Sequence, residues 1–193
     1  MHQPETPNLF ERRHSRLLEL LLNHSFERKH VVLASGKESD YYIDCRKTAL
    51  LAEGHFLIGW IFNSILRNEF PLVRAVGGMS MGADPLVSAT ALTSTFGPIP
   101  LDAFYVRKEA KKHGSKNWVE MAATIEPGAK VAILEDVVTT GGSTIKAMDR
   151  AEAVGLEVSC VLALVDRLEG GGEAVSKRVP FHPLFTRNDL MGT

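Results

Sequence analysis

Apolar residues recur at helical spacing near the start of the chain. The pattern runs from Asn8 to about Phe26 and consists of Phe10, Leu17, Leu18, Leu21 and Leu22. It predicts an amphipathic helix ahead of the main fold. Two apolar and aromatic runs, HVVLAS (30–35) and DYYIDC (40–45), then flank the polar turn SGKES. They predict two strands paired as a hairpin.

From residue 54 onward, helix-length apolar segments alternate with short apolar runs. The pattern predicts helices over 54–66, 81–95 and 142–155, the last ended by Gly155, and strands over 72–78, 99–106, 129–136 and 156–165. Such alternation predicts an α/β fold with a mostly parallel central sheet, flanked by helices that make right-handed crossovers.

Composition and charge limit the possible partners. With 193 residues, of which 45% are hydrophobic, and no compositional seam, the chain is expected to form a single domain over 1–193. A net charge of -1 gives no overall field for nucleic acid or an anionic membrane, so any polyanion must be bound locally. The run FLIGWIF (56–62) is too short to span a bilayer, so no membrane association is expected. Cys45 and Cys160 are too few for a disulfide framework, which favours structural thiols and a cytoplasmic location.

The segment LEDVVTTGGST, residues 134–144, joins a predicted strand to a predicted helix. Gly141 and Gly142 permit a tight turn that presents backbone N–H groups at the helix start, and the hydroxyls around them could donate to the same anion. By itself this pattern is as typical of a Thr140 or Ser143 that merely caps a helix.

Glu135 and Asp136, directly before that turn, favour a ligand. Adjacent carboxylates at a strand end repel each other unless hydroxyls, water or a metal share their charge. A ribose phosphate would meet both needs, with its hydroxyls on the acids and its 5-phosphate in the loop. The chain has no GxxxxGK[ST] sequence, and GGMSMG (77–82) is not GxGxxG, so nucleoside triphosphate and dinucleotide sites are disfavoured.

The segment YVRKEAKKHGSKN (105–117) crowds basic side chains after a predicted strand. Such a charge run is most often a solvated loop. Its place on the expected ligand side also suits a loop that covers a pyrophosphate and excludes water.

VAILEDVVTTGGST resembles the 5-phosphoribosyl-1-pyrophosphate (PRPP) motif of type I phosphoribosyltransferases. Three further segments resemble the orotate phosphoribosyltransferase family within that class, namely VLASGKESDYYIDCRK (32–47), FYVRKEAKKHG (104–114) and VDRLEGGGEAV (165–175). RKEAKxHG together with EDVxTTGG is a strong pair, whereas either alone would identify only the broader class.

The resemblance implies an activity, a fold and partners. The activity is Mg²⁺-dependent transfer of the 5-phosphoribosyl group from PRPP to orotate, giving orotidine 5′-monophosphate and pyrophosphate in de novo pyrimidine synthesis. The fold has a small hood of helix and strands, formed by about 1–50 and a C-terminal segment. The enzyme is expected to be a homodimer with shared active sites.

The resemblance also assigns roles to individual residues. Those expected to bind PRPP are Arg107, Lys108, Lys111, His113, Glu135, Asp136, Val137, Val138, Thr139, Thr140, Gly141, Gly142 and Ser143. Lys108, Lys111 and Asp136 are the expected catalytic residues, with Lys108 or Lys111 supplied across the dimer interface. Thr139 and Arg167 are expected to contact orotate, and Tyr42 to pack on its ring. No side chain is expected to bind a metal directly, because Mg²⁺ is held mainly through PRPP.

Two positions depart from the family pattern. Ala34 stands where many members carry a lysine, and SMGAD (80–84) lacks the lysine expected after the third strand. Lys37 or Arg46 could compensate for these losses.

Two other functions fit parts of the pattern. A purine-type phosphoribosyltransferase would share the PRPP loop but should lack an arginine aimed at a substrate carboxylate, so Arg167 argues against it. Without the resemblance, however, Arg167 would be interpreted as half of a surface ion pair with Asp166. A PRPP-sensing regulator of RNA or DNA should carry a basic stripe or an added DNA-binding domain, and the sequence indicates neither.

Overall fold

The computed structural model describes residues 7–32, 38–109 and 118–192. The N-terminal part contains α1 (Pro7–His24), β1 (Phe26–Glu27), β2 (Val31–Val32), β3 (Glu38–Ser39), β4 (Tyr42–Ile43) and α2 (Arg46–Ala49). The main part contains α3 (Ala52–Glu69), β5 (Ala75–Met79), α4 (Asp84–Ser94), β6 (Asp102–Val106), β7 (Val119–Met121), β8 (Lys130–Val138), α5 (Gly142–Ala153), β9 (Glu157–Asp166), α6 (Gly171–Ser176), β10 (Phe181–Thr186) and α7 (Arg187–Met191).

The helix α1 and the four short strands form a small hood, as the resemblance implied. The predicted pairing of 30–35 with 40–45 is wrong for the described residues. β2 pairs with β3, which lies in the predicted turn SGKES, and β4 pairs with β1, which precedes the first predicted strand; both pairs are antiparallel. Between β3 and β4 the Ser39 hydroxyl bonds locally, at 2.9 Å to the Tyr41 carbonyl and 3.4 Å from the Tyr41 nitrogen. Residues 33–35 of the other predicted strand lie outside the described residues.

The C-terminal end of the chain joins the hood. The Arg28 guanidinium donates to the Met191 carbonyl at 2.6 Å, and Leu190 is buried in the same hydrophobic cluster as Leu17 of α1. The two ends of the described chain therefore cover the same side of the sheet.

Six strands make the central sheet, in the order β10, β9, β8, β5, β6, β7. All neighbouring strands are parallel except β7, which runs antiparallel to β6. The predicted mostly parallel sheet flanked by helices is confirmed. Helices α1, α3 and α4 bury their apolar residues in a cluster on one face, and α5 and α6 contribute to a second cluster on the other.

The carboxyl ends of four parallel strands meet at one edge of the sheet. The segments that follow β5, β6, β8 and β9 begin at Ser80, Arg107, Thr139 and Arg167. These are the tips at which open α/β sheets bind their ligands.

In the part of the chain that the structure describes, every helix falls short of the combination of length and apolar character needed to cross a membrane.

Candidate active site

A cavity of about 840 Å³ opens at the carboxyl edge of the sheet, beneath the hood. Its walls come from five parts of the chain: 42–46 of the hood, 79–82 after β5, 105 and 107–109 at the end of β6, Glu120 of β7, and 135–137 with Ser143 from β8 and α5. The fold therefore brings three of the four resembling segments together around one space.

Glu135 is the buried acid of this cavity. It is 4% exposed, and its Oε2 accepts hydrogen bonds from the Ser143 hydroxyl at 3.1 Å and the Thr144 hydroxyl at 2.9 Å. Burial, followed by the neighbouring charge of Asp136, raises the pKa of the Glu135 carboxyl to about 8. The hydroxyls expected to donate to an anion thus stabilise this carboxyl group in the absence of substrate.

Asp136 lies against the loop after β5. Its Oδ1 accepts from the Val137 N–H at 2.9 Å. A Cβ atom at Gly82 would lie 2.7 Å from that same oxygen, so a side chain at this position would push the carboxylate away. The peptide bond between Ser80 and Met81 in this loop is cis. The sequence placed GGMSMG on the ligand side but gave no sign of this contact.

The glycine loop before α5 has the backbone geometry of an anion site. Gly141 has φ of 79° and precedes the helix as its N-cap, so no side chain caps the first turn from that position. The simpler interpretation, in which Thr140 or Ser143 caps the helix, is therefore wrong, because neither is the N-cap. The loop is backed by Gly171, whose N–H donates to the Thr139 carbonyl at 3.0 Å.

Arg167 is buried, and the alternative of a surface ion pair with Asp166 is wrong. Its side chain is 5% exposed; Nε donates to Glu169 at 2.7 Å and Nη2 donates to the Ser39 hydroxyl at 3.2 Å. The guanidinium also lies 4.4 Å from the centre of the Tyr41 ring. These contacts tie the segment after β9 to the hood.

The two tyrosines of SDYYID take different places. Tyr42 lines the cavity, as expected of a residue that packs on a substrate ring, with the Lys29 amine 4.8 Å from its ring centre. Tyr41 is 2% exposed and packs beneath Arg167. Sequence reasoning missed Tyr41, although strand alternation already placed the two tyrosines on opposite faces.

Arg107 and Lys108 line the cavity beside three acidic side chains from the same walls, Glu109, Glu120 and Asp44. Arg107 is paired with Glu120 at 3.0 Å. Lys108 is exposed. Lys111, His113, Ala34 and Lys37 lie outside the described residues, so their predicted roles stay predictions.

Arg46 lines the same cavity and is paired with Asp44 through two hydrogen bonds of 2.8 and 2.9 Å. Arg167 is not among the residues that line the cavity. Nor are five residues that adjoin its lining in sequence: Val138, Thr139, Thr140, Gly141 and Gly142. Among the described residues, no group of three or more His, Cys, Asp or Glu side chains could hold a metal ion.

Comparison with known proteins decides the family. No protein-family model matches the chain. An orotate phosphoribosyltransferase of Sorangium cellulosum is 50% identical over 177 residues, covering 91% of this chain and 92% of that protein. The chain belongs to the orotate phosphoribosyltransferase family. The resemblance drawn from the four sequence segments is confirmed.

Solved structures of the orotate phosphoribosyltransferase family share the fold. The Mycobacterium tuberculosis enzyme in complex with Fe(III) dicitrate superposes with a TM-score of 0.79 at 34% identity, covering 92% of this chain and 98% of that one. The same enzyme in complex with PRPP gives 0.76 at 30% identity, covering 93% and 99%. The type I phosphoribosyltransferase fold with an N-terminal hood is therefore established.

Proposed function

We propose that the chain transfers the 5-phosphoribosyl group of PRPP to a ring nitrogen of orotate, giving orotidine 5′-monophosphate for pyrimidine synthesis. The new bond joins that nitrogen to C1 of the ribose, and the bond from C1 to the pyrophosphate oxygen breaks with inversion. The observation that carries the proposal is the meeting of Glu135 and Asp136, the glycine loop before α5, and the basic residues after β6 at one cavity.

The ribose phosphate occupies the β8–α5 side of the cavity. Backbone N–H groups of Thr140 to Ser143 receive the 5-phosphate, because a loop with Gly141 in the left-handed conformation opens the first turn of α5 toward an anion. The ribose hydroxyls bind the carboxyl groups of Glu135 and Asp136. Val137 and Val138 contribute backbone to the same segment.

The pyrophosphate lies against the basic residues after β6. Arg107 and Lys108 provide positive charge at this wall of the cavity. Lys111 and His113 add to them, with Lys108 or Lys111 coming from the partner subunit. Arg107, whose Nε and Nη2 both lie near Oε1 of Glu120, exchanges this contact for phosphate oxygens, which can accept two parallel hydrogen bonds from a guanidinium.

Orotate lies between Tyr42 and Arg167, with Thr139 beside it. The guanidinium of Arg167 pairs with the orotate carboxylate, a match of two planar groups. Glu169, Ser39 and Tyr41 already fix the plane of that guanidinium, so little side-chain entropy is lost when orotate binds.

Charge rather than covalent chemistry lowers the barrier. Departure of pyrophosphate leaves positive charge on the ribose ring, and the Asp136 carboxylate, which binds the sugar in this proposal, stabilises it. Lys108 and Lys111 stabilise the negative charge on the leaving group. No side chain acts as a nucleophile.

The cavity would hold Mg²⁺ together with PRPP. Mg²⁺ commonly keeps several waters and is held by substrate phosphates with one or two carboxylates, which fits a cavity whose walls carry Asp136 and Asp44. We propose that pyrophosphate oxygens are its main ligands and that these carboxylates accept from its waters. When bound, the ion neutralises charge on the leaving pyrophosphate.

We further propose a cytoplasmic homodimer in which residues 1–193 form one domain, with about 1–50 and the C-terminal segment as its hood. Three large apolar side chains are exposed on or beside α2 and α4: Leu50 at 72%, Leu92 at 61% and Phe96 at 77%. A second copy would bury such a surface.

The test is consumption of orotate, measured as loss of its absorbance with PRPP and Mg²⁺ present. We expect the orotate absorbance to fall in the complete mixture and to stay constant when Mg²⁺ is chelated. When hypoxanthine replaces orotate, we expect no hypoxanthine to be consumed. Binding of PRPP without consumption of orotate would contradict the proposal, and turnover of hypoxanthine would favour the purine-type function.

A further inference from the structure

Arg150 reaches from α5 to the ends of three strands. Its Nη1 donates to the Arg107 carbonyl and lies 3.8 Å from the sulfur of Met79. Its Nη2 lies 3.5 Å from the Lys108 carbonyl, and its guanidinium carbon is 3.8 Å from the centre of the Trp118 ring. One side chain therefore contacts the end of β5, the residues after β6 and the residue before β7.

These contacts hold both ends of the segment that joins β6 to β7. The backbone of its first and last described parts is already paired, because the Arg107 N–H donates to the Trp118 carbonyl at 2.8 Å. Val106 and Val119 continue that pairing in the sheet. Arg150 also connects this segment to α5, whose first turn binds the 5-phosphate in the proposed function.

The guanidinium of Arg150 is surrounded by groups that suit a structural role. Burial lowers the pKa of its guanidinium, so the group needs partners to compensate for lost water. Backbone carbonyls accept from its edge, and the flat face of Trp118 covers its plane. The contacts of Nη1, of Nη2 and of one ring-covered face are therefore all made with the protein itself.

We propose that Arg150 is a positioning residue for the pyrophosphate half of the site. Arg107 and Lys108 line the cavity, whereas Arg150 does not. Arg150 therefore acts through the backbone of those two residues. This inference rests on the proposed function, since it places those two residues on the leaving group.

The experiment compares Arg150→Met and Arg150→Lys with Arg178→Met. Arg178 is a matched control, because it also binds α5, at 2.5 Å to Asp149 and 2.6 Å to Glu152, from outside the cavity walls. Arg150→Met should raise KM for PRPP by about fivefold or more and leave KM for orotate within about twofold of wild type. Arg150→Lys should fall between, because it keeps the charge and loses the planar fork. Arg178→Met should leave both constants unchanged.

A second readout does not depend on turnover. The chain has two tryptophans, so a Trp60→Phe background leaves Trp118 as the sole reporter. Titration of magnesium pyrophosphate should change Trp118 fluorescence in that background, and adding Arg150→Met should weaken the apparent affinity by about the same factor as it raises KM. This titration also works if the protein fails to use orotate, which separates failure of this inference from failure of the proposed function.

Trp118→Leu removes the other half of the stack and should repeat the rise in KM for PRPP, even if Arg150→Met does not fold. The inference is overturned if folded Arg150→Met and Trp118→Leu proteins match Arg178→Met in KM for PRPP. It is equally overturned if KM for orotate rises as much as KM for PRPP, because the effect would then be a general loosening of the fold.

Discussion

At the scale of single residues, the site depends on side chains whose neighbours were not apparent from sequence. The place of Glu135 and Asp136 on the cavity wall was predictable because they end an apolar strand and precede a glycine turn. The role of Tyr41 was not, because Arg167 and Ser39, which meet beside it, are 128 positions apart in the chain. Contacts over such a separation are set by the packing of the hood on the sheet.

Glu135 should make the stability of the substrate-free protein fall with rising pH. Its pKa is raised from 4.5 to about 8, so between these values the folded protein holds a proton that the unfolded chain has lost. Stability is therefore lost as the pH rises through that window. Urea unfolding should show that the free energy of unfolding of wild type falls by at least about 1 kcal/mol more than that of Glu135→Gln between pH 5 and pH 8. One pKa unit corresponds to about 1.4 kcal/mol.

The exposed Glu173 provides the comparison for that experiment. Glu173→Gln should keep the wild-type pH profile. If Glu135→Gln also keeps it, the buried carboxyl is not protonated at neutral pH.

Gly82→Ala should move the Asp136 carboxylate. A Cβ atom at Gly82 would lie 2.7 Å from that carboxylate, which binds the ribose in the proposed function. We expect kcat/KM for PRPP to fall by about tenfold or more, with the melting temperature close to wild type, because the end of one flexible side chain can shift to make room. An unchanged kcat/KM would show that the position of Asp136 does not matter for PRPP.

At the scale of elements, the sequence predicted the repeating core and missed its edges. The strands β5, β6, β8 and β9 are apolar runs that local pattern identifies. The edge strand β10 reads FHPLFT, where His182 and Pro183 interrupt the pattern, and it is held by parallel pairing with β9. The helix α6 begins with two glycines, and its formation depends on burial of Val175 against α5 and β9 rather than on helix propensity. Gly170 precedes that helix with φ of 90°.

The first residue of α6 should control the shape of the glycine loop before α5. A Cβ atom at Gly171 would lie 2.6 Å from the Thr139 carbonyl and 2.7 Å from the Gly141 nitrogen. Gly171→Ala should therefore destabilise the protein by about 1–3 kcal/mol and raise KM for PRPP, whereas Glu173→Ala in the same helix should change neither. Equal unfolding curves and KM values for both variants would contradict this coupling of the two loops.

At the scale of the whole molecule, the net charge argued against an overall electrostatic field for binding nucleic acid. The arrangement of subunits could not be predicted from the local sequence pattern. A shared site would make the dimer the functional unit. Asp136→Asn and Lys111→Ala proteins should each be inactive, and mixing them after dissociation and reassociation should restore activity to about a quarter of wild type, since half the dimers would carry one intact site of two. No recovery would place the lysine in the same chain as Asp136.

Arg167 gives the most direct test of the central claim that this cavity joins PRPP to a base bearing a carboxylate. Orotate consumption should be measured for wild type, Arg167→Ala and, as a control, Arg178→Ala, with PRPP binding followed in parallel. We predict that wild type and Arg178→Ala consume orotate, and that Arg167→Ala loses about a hundredfold or more in kcat/KM for orotate while still binding PRPP. Full activity of Arg167→Ala would contradict the assignment of orotate to this site.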